Sequence, residues 1–318
     1  MATPLFTVVV TTYNRERIVR RAVDSCLAQS CEDFEVVVVD DASSDGTVAA
    51  LESYEDPRVR VVVHERNRGI NPARHTGTVA ARGEWIVVVD SDWELMPEAL
   101  ERLRAAIEAL PEGVRVVRFR LLWDDGTVTP RFVPSGVYGY EGRIRWAEEE
   151  GGEDAGRCIN AAVFETTPYI ADRRGAIETI FELDLAKAER SLCLEEVLGK
   201  EHSDAPNSWM RSTSAAELIP RLQQEAPDML WMAETSLERH GEALRRWGPR
   251  QYANLQRVAA LQSFLLGRRR AGARYALRAL RERPQAALSW ITLFLGVLGP
   301  RAAARGILAL RKLQARRS

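Results

Sequence analysis

Apolar positions in the first half of the chain fall into short, unbroken runs: "LFTVVVTT" over 5–12, "FEVVVVDD" over 34–41, a shorter "VRVVVHE" over 59–65 and "WIVVVDSD" over 85–92. None alternates with polar residues, which is the pattern of strands covered on both faces in a parallel sheet. Between the runs the period changes. Residues 15–29 place Ile18, Val19, Ala22, Cys26 and Leu27 on one side of a helix, and "SSDGTVAALESY" opens with a Ser/Asp cap signal. Strand and helix in alternation predict an α/β fold with a mostly parallel central sheet flanked by helices, Rossmann-like in layout. From about residue 115 the pieces shorten. "VRVVRFRLLW" and "CINAAVFE" read as strands between Gly-, Pro- and Glu-rich stretches, and the acidic 148–156 segment reads as a mobile loop. After about Arg211 the pattern turns helical and stays so, with Ala/Leu-rich helices broken at Gly-Arg, Arg-Pro and Gly-Pro.

The length of 318 residues allows one large domain, or a large one with a smaller companion. The first residues, "MATPLFTVVVTTYN", carry no basic leader before the first strand, so a cytoplasmic location is expected. Cys26, Cys31, Cys158 and Cys193 lack metal-ligand spacing and read as thiols without a structural partner. Net charge is only −1, but its distribution is uneven. From Gly241 onward there are 17 Arg and Lys against two acids, which leaves the first 240 residues at −16. Such a tail suits an anionic partner or a solvated helical face. An anionic membrane surface is the partner expected here, nucleic acid is not, and a homodimer is left open. Within the tail, "LSWITLFLGVLGP" over 288–300 is too short to span a bilayer, which needs about 20 residues. It reads either as an interfacial helix with Trp290 and Phe294 inserted or as a buried core helix.

Ligands in open α/β sheets bind beyond the carboxyl ends of the strands. All three long runs deliver polar residues there: Thr11, Thr12, Tyr13 and Asn14, then Asp40 and Asp41, then Asp90 and Asp92. Asp40 reads equally as a cap for the helix that follows. No GxGxxG follows the first strand, and there is no GxxxxGK[ST] or GxSxG, which argues against dinucleotide-binding, P-loop and serine-hydrolase chemistry. Carboxylates at strand ends without a glycine loop imply that a divalent cation carries phosphate charge. An Asp-x-Asp pair suits Mg²⁺ or Mn²⁺, which complete their shells with substrate phosphates.

"TVVVTTYNRERIVRRAVDSCLAQSCEDFEVVVVDDASSDGT" followed by "NRGINPARHTGTVAARGEWIVVVDSDWELMP" closely resembles the family 2 glycosyltransferases, inverting enzymes of the GT-A fold. The likeness runs over residues 5 to about 110 and more faintly to about 211. It implies a GT-A catalytic domain over 1–211, with a nucleotide-sugar half at 1–112 and an acceptor half at 113–211, followed by a helical, basic region at 212–318. It also implies a nucleotide-sugar donor, with UDP as the expected nucleotide, and a glycan or lipid-linked acceptor at the cell surface. On this resemblance Thr11, Tyr13 and Arg15 would wrap base and ribose, and Asp41 would accept from a base edge. Arg74 would contact the nucleotide, Asp90 would lie nearer the ribose, and Asp92 would ligate Mn²⁺ or Mg²⁺, with Asp90 and His202 completing the metal site. The chain has His75 where the family motif has Asn, and Trp93 where a further acid is frequent. The general base would be Glu178 at a helix start, with Asp184 and Glu182 as alternatives. A polyprenyl-phosphate acceptor and a binding protein without chemistry remain competing readings.

Overall fold

The computed structural model describes residues 3–134, 136–150, 155–174, 178–204, 215–299 and 302. The predicted valine runs form β1 (Phe6–Thr12), β2 (Phe34–Asp40), β3 (Val59–Val63) and β4 (Trp85–Asp90), separated by α1 (Val19–Leu27), α2 (Thr47–Glu52) and α3 (Ile70–Ala80). Then come β5 (Trp93–Leu95), α4 (Ala99–Glu108), β6 (Val114–Trp123), β7 (Val128–Thr129), β8 (Val137–Tyr138) and α5 (Tyr140–Glu150). They are followed by β9 (Gly156–Asn160), α6 (Val163–Thr166), α7 (Glu178–Ala188) and β10 (Arg190–Glu201).

Among the described residues the sheet has ten strands, with a main order β3-β2-β1-β4-β9-β6-β10-β5, and β7 and β8 paired off that path on β6 and β10. It is mixed. The β3-β2-β1-β4 half is parallel throughout, whereas β9 runs antiparallel to both β4 and β6. Every residue of β1 and β2 is buried, as the unbroken apolar runs require. Phe6, Val8, Val10, Val36, Val38, Val87 and Val89 share one core with Val19, Val23 and Leu100 from the helices. On the other side α3 lies close to the strands, and Gly77 makes that possible: a Cβ there would stand 2.2 Å from Val9 Cγ1.

Three expectations change. The helix predicted over 15–29 begins only at Val19, because the backbone of residues 14–16 is bound to the neighbouring loop; Asn14 N–H donates to Ser43 Oγ and Arg15 N–H to Thr47 Oγ1, both at 2.8 Å. "CINAAVFE" is not one strand. Pairing with β4 ends at Asn160, and Val163–Thr166 is helical. The acidic 148–156 stretch is divided: residues 148–150 are the last turn of α5, Gly156 opens β9, and 151–154 lie outside the described residues. The four cysteines are free and buried.

The chain forms two compact units, Met1–Arg174 with Asp184–Asn207, and Gly175–Leu183 with Ser208–Ser318. The division passes through α7, and the boundary expected near residue 211 lies outside the described residues. The second unit is built on α8 (Ala215–Trp247), α9 (Pro249–Leu265), α10 (Arg269–Glu282) and α11 (Ala287–Leu298). Phe264 is fully buried at its centre. Gly272 and Gly296 admit its ring, since a Cβ would meet ring carbons at 2.7 Å and 2.0 Å respectively.

Candidate active site

The register of the parallel half brings the polar strand ends together. Thr12 pairs with Asp40 and Thr11 with Asp90, so β1 lies between the acids of β2 and β4. Thr11 Oγ1 donates to Asp90 Oδ1 at 3.3 Å. Arg74, on α3 and almost fully buried, donates through Nη2 to both Asp90 oxygens at 3.0 and 2.9 Å. The guanidinium expected on the nucleotide therefore holds the Asp90 carboxylate in place. Charge-assisted pairs of this kind are short and orient both partners.

Asp41 is equally engaged. Its Oδ1 accepts from Arg68 N–H at 2.8 Å and lies 2.7 Å from His64 Nδ1, and its Oδ2 accepts from Gly69 N–H at 2.7 Å. His64 Nε2 in turn lies 2.9 Å from Thr76 Oγ1. A carboxylate offers about four lone-pair positions, so one direction, on Oδ2, remains for a base edge. Gly69 has φ +99°, and a Cβ there would stand 2.2 Å from the Arg174 carbonyl oxygen, so the turn that delivers its N–H to Asp41 requires glycine. Asp41→Ala is expected to cost about 2–4 kcal/mol in urea unfolding, because two backbone donors and a buried imidazole lose their acceptor. Unchanged stability would return Asp41 to a purely ligand-facing role.

Asp40 does not cap α2. It closes a turn by accepting from Ser43 N–H at 2.8 Å, while Asp45 accepts from Thr47 N–H at 3.0 Å. Asn14 and Ala42 take left-handed conformations in the two facing loops, at φ 53° and φ 60°, and Asn14 Oδ1 accepts from Ser44 N–H at 2.8 Å. These contacts lock the β1–α1 and β2–α2 loops together beside Tyr13, which is 38% exposed at the end of β1.

Asp92 is the electrostatic focus. Burial and the neighbouring Asp90 push its carboxyl up to about 6, with Arg15 opposing. Burial also holds the Arg15 guanidinium below its ordinary pKa against the pull of Asp92 and Asp90, and Arg15 Nε and Nη1 are buried without a hydrogen-bond partner. Two carboxylates and one under-bonded guanidinium thus face one place, a combination suited to an anion held with a cation.

His202 is tied to the motif through the backbone, its N–H donating to the Asp92 carbonyl at 2.9 Å. Its side chain lies elsewhere. Nδ1 stands 3.0 Å from Asp124 Oδ1, and Nε2 stands 2.6 Å from Glu94 Oε1 but off the hydrogen-bonding axis. Arg21 joins the same cluster, bidentate to Asp204 at 2.7 and 2.8 Å. Among the described residues no group of three or more His, Cys, Asp or Glu side chains stands ready to hold a metal. The expected Asp90, Asp92 and His202 set does not close into a cage, since Arg74 holds Asp90 and the His202 ring faces Glu94 and Asp124. The donor chemistry nevertheless fits a hard cation that needs one or two protein carboxylates, because Asp92 is a desolvated carboxylate beside a second acid. Trp93 is 6% exposed within the core, a packing residue rather than a sugar platform.

Glu178 opens α7, as expected of a carboxylate at a helix start, and belongs to the second unit. Glu182 lies one turn further in the same unit, and Asp184 belongs to the first. Sequence reasoning missed His64, Glu94, Asp124 and Asp204. His64 had a signal, since it ends the third valine run as the acids end the others.

Residues 7–158 match glycosyl transferase family 2. The succinoglycan biosynthesis protein ExoO of Rhizobium meliloti is 42% identical over 123 residues, 39% of this chain and 35% of that protein. A putative teichuronic acid biosynthesis glycosyltransferase of Bacillus subtilis, TuaG, is 32% identical over 132 residues, 41% of this chain and 52% of that protein. The matched stretch thus spans about a third to a half of these curated relatives' own length. Among solved structures, S. aureus TarS in complex with UDP-GlcNAc superposes with a TM-score of 0.59 at 18% identity, covering 95% of this chain and 91% of that one. A Pyrobaculum calidifontis mannosyltransferase in complex with GDP-Man and Mn²⁺ gives 0.52 at 19% identity, covering 96% and 88%. The fold is that of these GT-A glycosyltransferase structures, and just under half of the chain, residues 7–158, is matched by glycosyl transferase family 2.

Proposed function

We propose that the protein is a metal-dependent, inverting glycosyltransferase that moves a sugar, a hexose in the simplest case, from a UDP-sugar to a hydroxyl of a cell-surface glycan or glycolipid. The observation that carries this reading is the meeting of Asp92, Asp90 and Arg15 at the carboxyl ends of β1 and β4, where burial keeps an acid pair and an under-bonded guanidinium together. The biosynthetic names of the relatives support a glycan acceptor, and the nucleotide-sugars bound by the structural neighbours support the donor class.

In this reading Tyr13 and Thr11 lie against base and ribose, Asp41 offers its remaining lone pair to the base, and Arg74 keeps Asp90 oriented toward the ribose. Asp92, with Asp90 behind it, would hold Mn²⁺ or Mg²⁺. When bound, such an ion supplies positive charge against the diphosphate leaving group. Arg15 adds a second, permanent charge on the same side. Glu178 takes the proton of the acceptor hydroxyl as its oxygen attacks the anomeric carbon from the face opposite the diphosphate; the bond to the diphosphate oxygen breaks and configuration inverts.

The test is calorimetric. UDP is expected to bind at least about tenfold more tightly with Mn²⁺ than with EDTA, in line with a cation that supplies the phosphate contacts. Equal affinity under the two conditions would remove the metal from the proposal.

A further inference from the structure

The last described helix of the second unit is built inside out. Along α11 the buried positions are Ser289, Thr292 and Gly296, small or polar, whereas Leu288, Trp290, Phe294, Val297 and Leu298 are 43–68% exposed. The inversion has a local cause. Gly296 sits against the ring of Phe264, where no larger side chain fits, and Thr292 turns its hydroxyl onto the Leu288 carbonyl at 2.7 Å. The large side chains are left on the outer face. A soluble helix is ordinarily stabilised by burying its apolar stripe, and a contiguous exposed patch of this kind marks an interaction surface.

The surroundings identify what it meets. From Arg268 to Leu298 the chain carries seven arginines and a single acid, Glu282, whose carboxylate is paired with Arg245 at 3.0 Å. Arg268, Arg269, Arg270, Arg274, Arg278 and Arg281 are exposed, and Leu277 stands among them at 56%. Trp290 closes the turn between α10 and α11 by donating from Nε1 to the Pro284 carbonyl at 2.8 Å while its ring remains open to solvent. At 12 residues α11 is about 18 Å long, short of the ~30 Å hydrocarbon layer, and no described helix is long and apolar enough to cross a membrane. A short apolar face carrying an exposed Trp, set among exposed arginines, has the makeup of an element that lies in the plane of an anionic bilayer.

We propose that α10 and α11 form a docking surface for anionic lipid, with the outer face of α11 in the acyl boundary and the α10 arginines at the headgroups. This surface is independent of the transfer chemistry and would deliver the protein to an acceptor carried on a membrane.

The full chain is to be sedimented with phosphatidylglycerol vesicles and with phosphatidylcholine vesicles, at low and high salt. Binding to phosphatidylglycerol is expected to be at least about tenfold stronger than to phosphatidylcholine and to fall steeply with salt. F294S/L298S, which alters only exposed side chains, is expected to lower it by about tenfold or more while UDP binding and thermal midpoint stay unchanged. R274Q/R278Q/R281Q should remove most of the salt dependence. Absence of vesicle binding, or binding indifferent to F294S/L298S, overturns the proposal. So does a dimer that F294S/L298S dissociates in a protein that ignores vesicles, which would assign the face to a second copy of the chain.

Discussion

Asp92→Asn is expected to slow sugar transfer by about 10²- to 10³-fold, the usual cost of losing one preorganised charge contact, and in the same protein to raise the thermal midpoint. The two effects have one origin. In the folded chain the Asp92 carboxyl is pushed up to about 6, first by burial and then by Asp90, whereas an unfolded Asp titrates near ~3.9. Between these values the folded state holds a proton that the unfolded state has released, so stability falls as pH rises through this window, and the full penalty is present above about 6. Asparagine cannot ionise and escapes it. In EDTA the variant should gain about 1–2 kcal/mol near pH 7.5. Near pH 4 the gain should vanish. Calorimetry at the two pH values reads the stability, and initial rates with saturating Mn²⁺ read the transfer. Loss of transfer without a pH-dependent gain would mean that Asp92 acts through packing, and wild-type transfer would take it out of the site.

The parallel half of the sheet was legible because strands covered on both faces must be apolar at every position, and β1, β2 and β4 are. The convergence of Thr11, Asp40 and Asp90 was legible for the same reason, since strands in register must end together. Partner choice within the site was not. Arg74 was expected on the nucleotide because an arginine near such a site has a ready use, and its place on α3 also gives it Asp90 as a partner. Asp41 was expected at a base edge, and nothing in one dimension announces that residues 64–69 also fold back onto its carboxylate. His202 reached the motif only through its backbone, and its ring is claimed by Glu94 and Asp124, which lie 108 and 78 residues earlier in the chain. The reversed face of α11 was half legible: the apolar run was evident, and its outward orientation depends on Phe264 standing against Gly296.

Glu178→Gln is expected to lower turnover by about 10²- to 10⁴-fold, the range of general-base catalysis, with donor affinity unchanged. Glu178 occupies the first turn of α7, where the free N–H groups of a helix start favour the negative charge a base must carry. Its neighbours separate by geometry. At about 100° per residue Glu182, four positions on, shares the face of Glu178, whereas Asp184, six positions on, is turned about 120° away. Asp184 also has a neighbour in its own unit: the Tyr140 hydroxyl, pushed up to about 12 by burial and then by the Asp184 charge. Asp184→Asn should therefore lower the Tyr140 pKa slightly, seen in the ultraviolet titration of its phenol, and leave turnover near wild type. Glu182→Gln is the control on the shared face, expected to cost less than Glu178→Gln. A large loss in Glu182→Gln with wild-type rates in Glu178→Gln would move the base one turn along the helix. Wild-type rates in all three variants would show that no carboxylate of α7 takes a proton, which is the result required of an acceptor that arrives already anionic, such as a lipid phosphate.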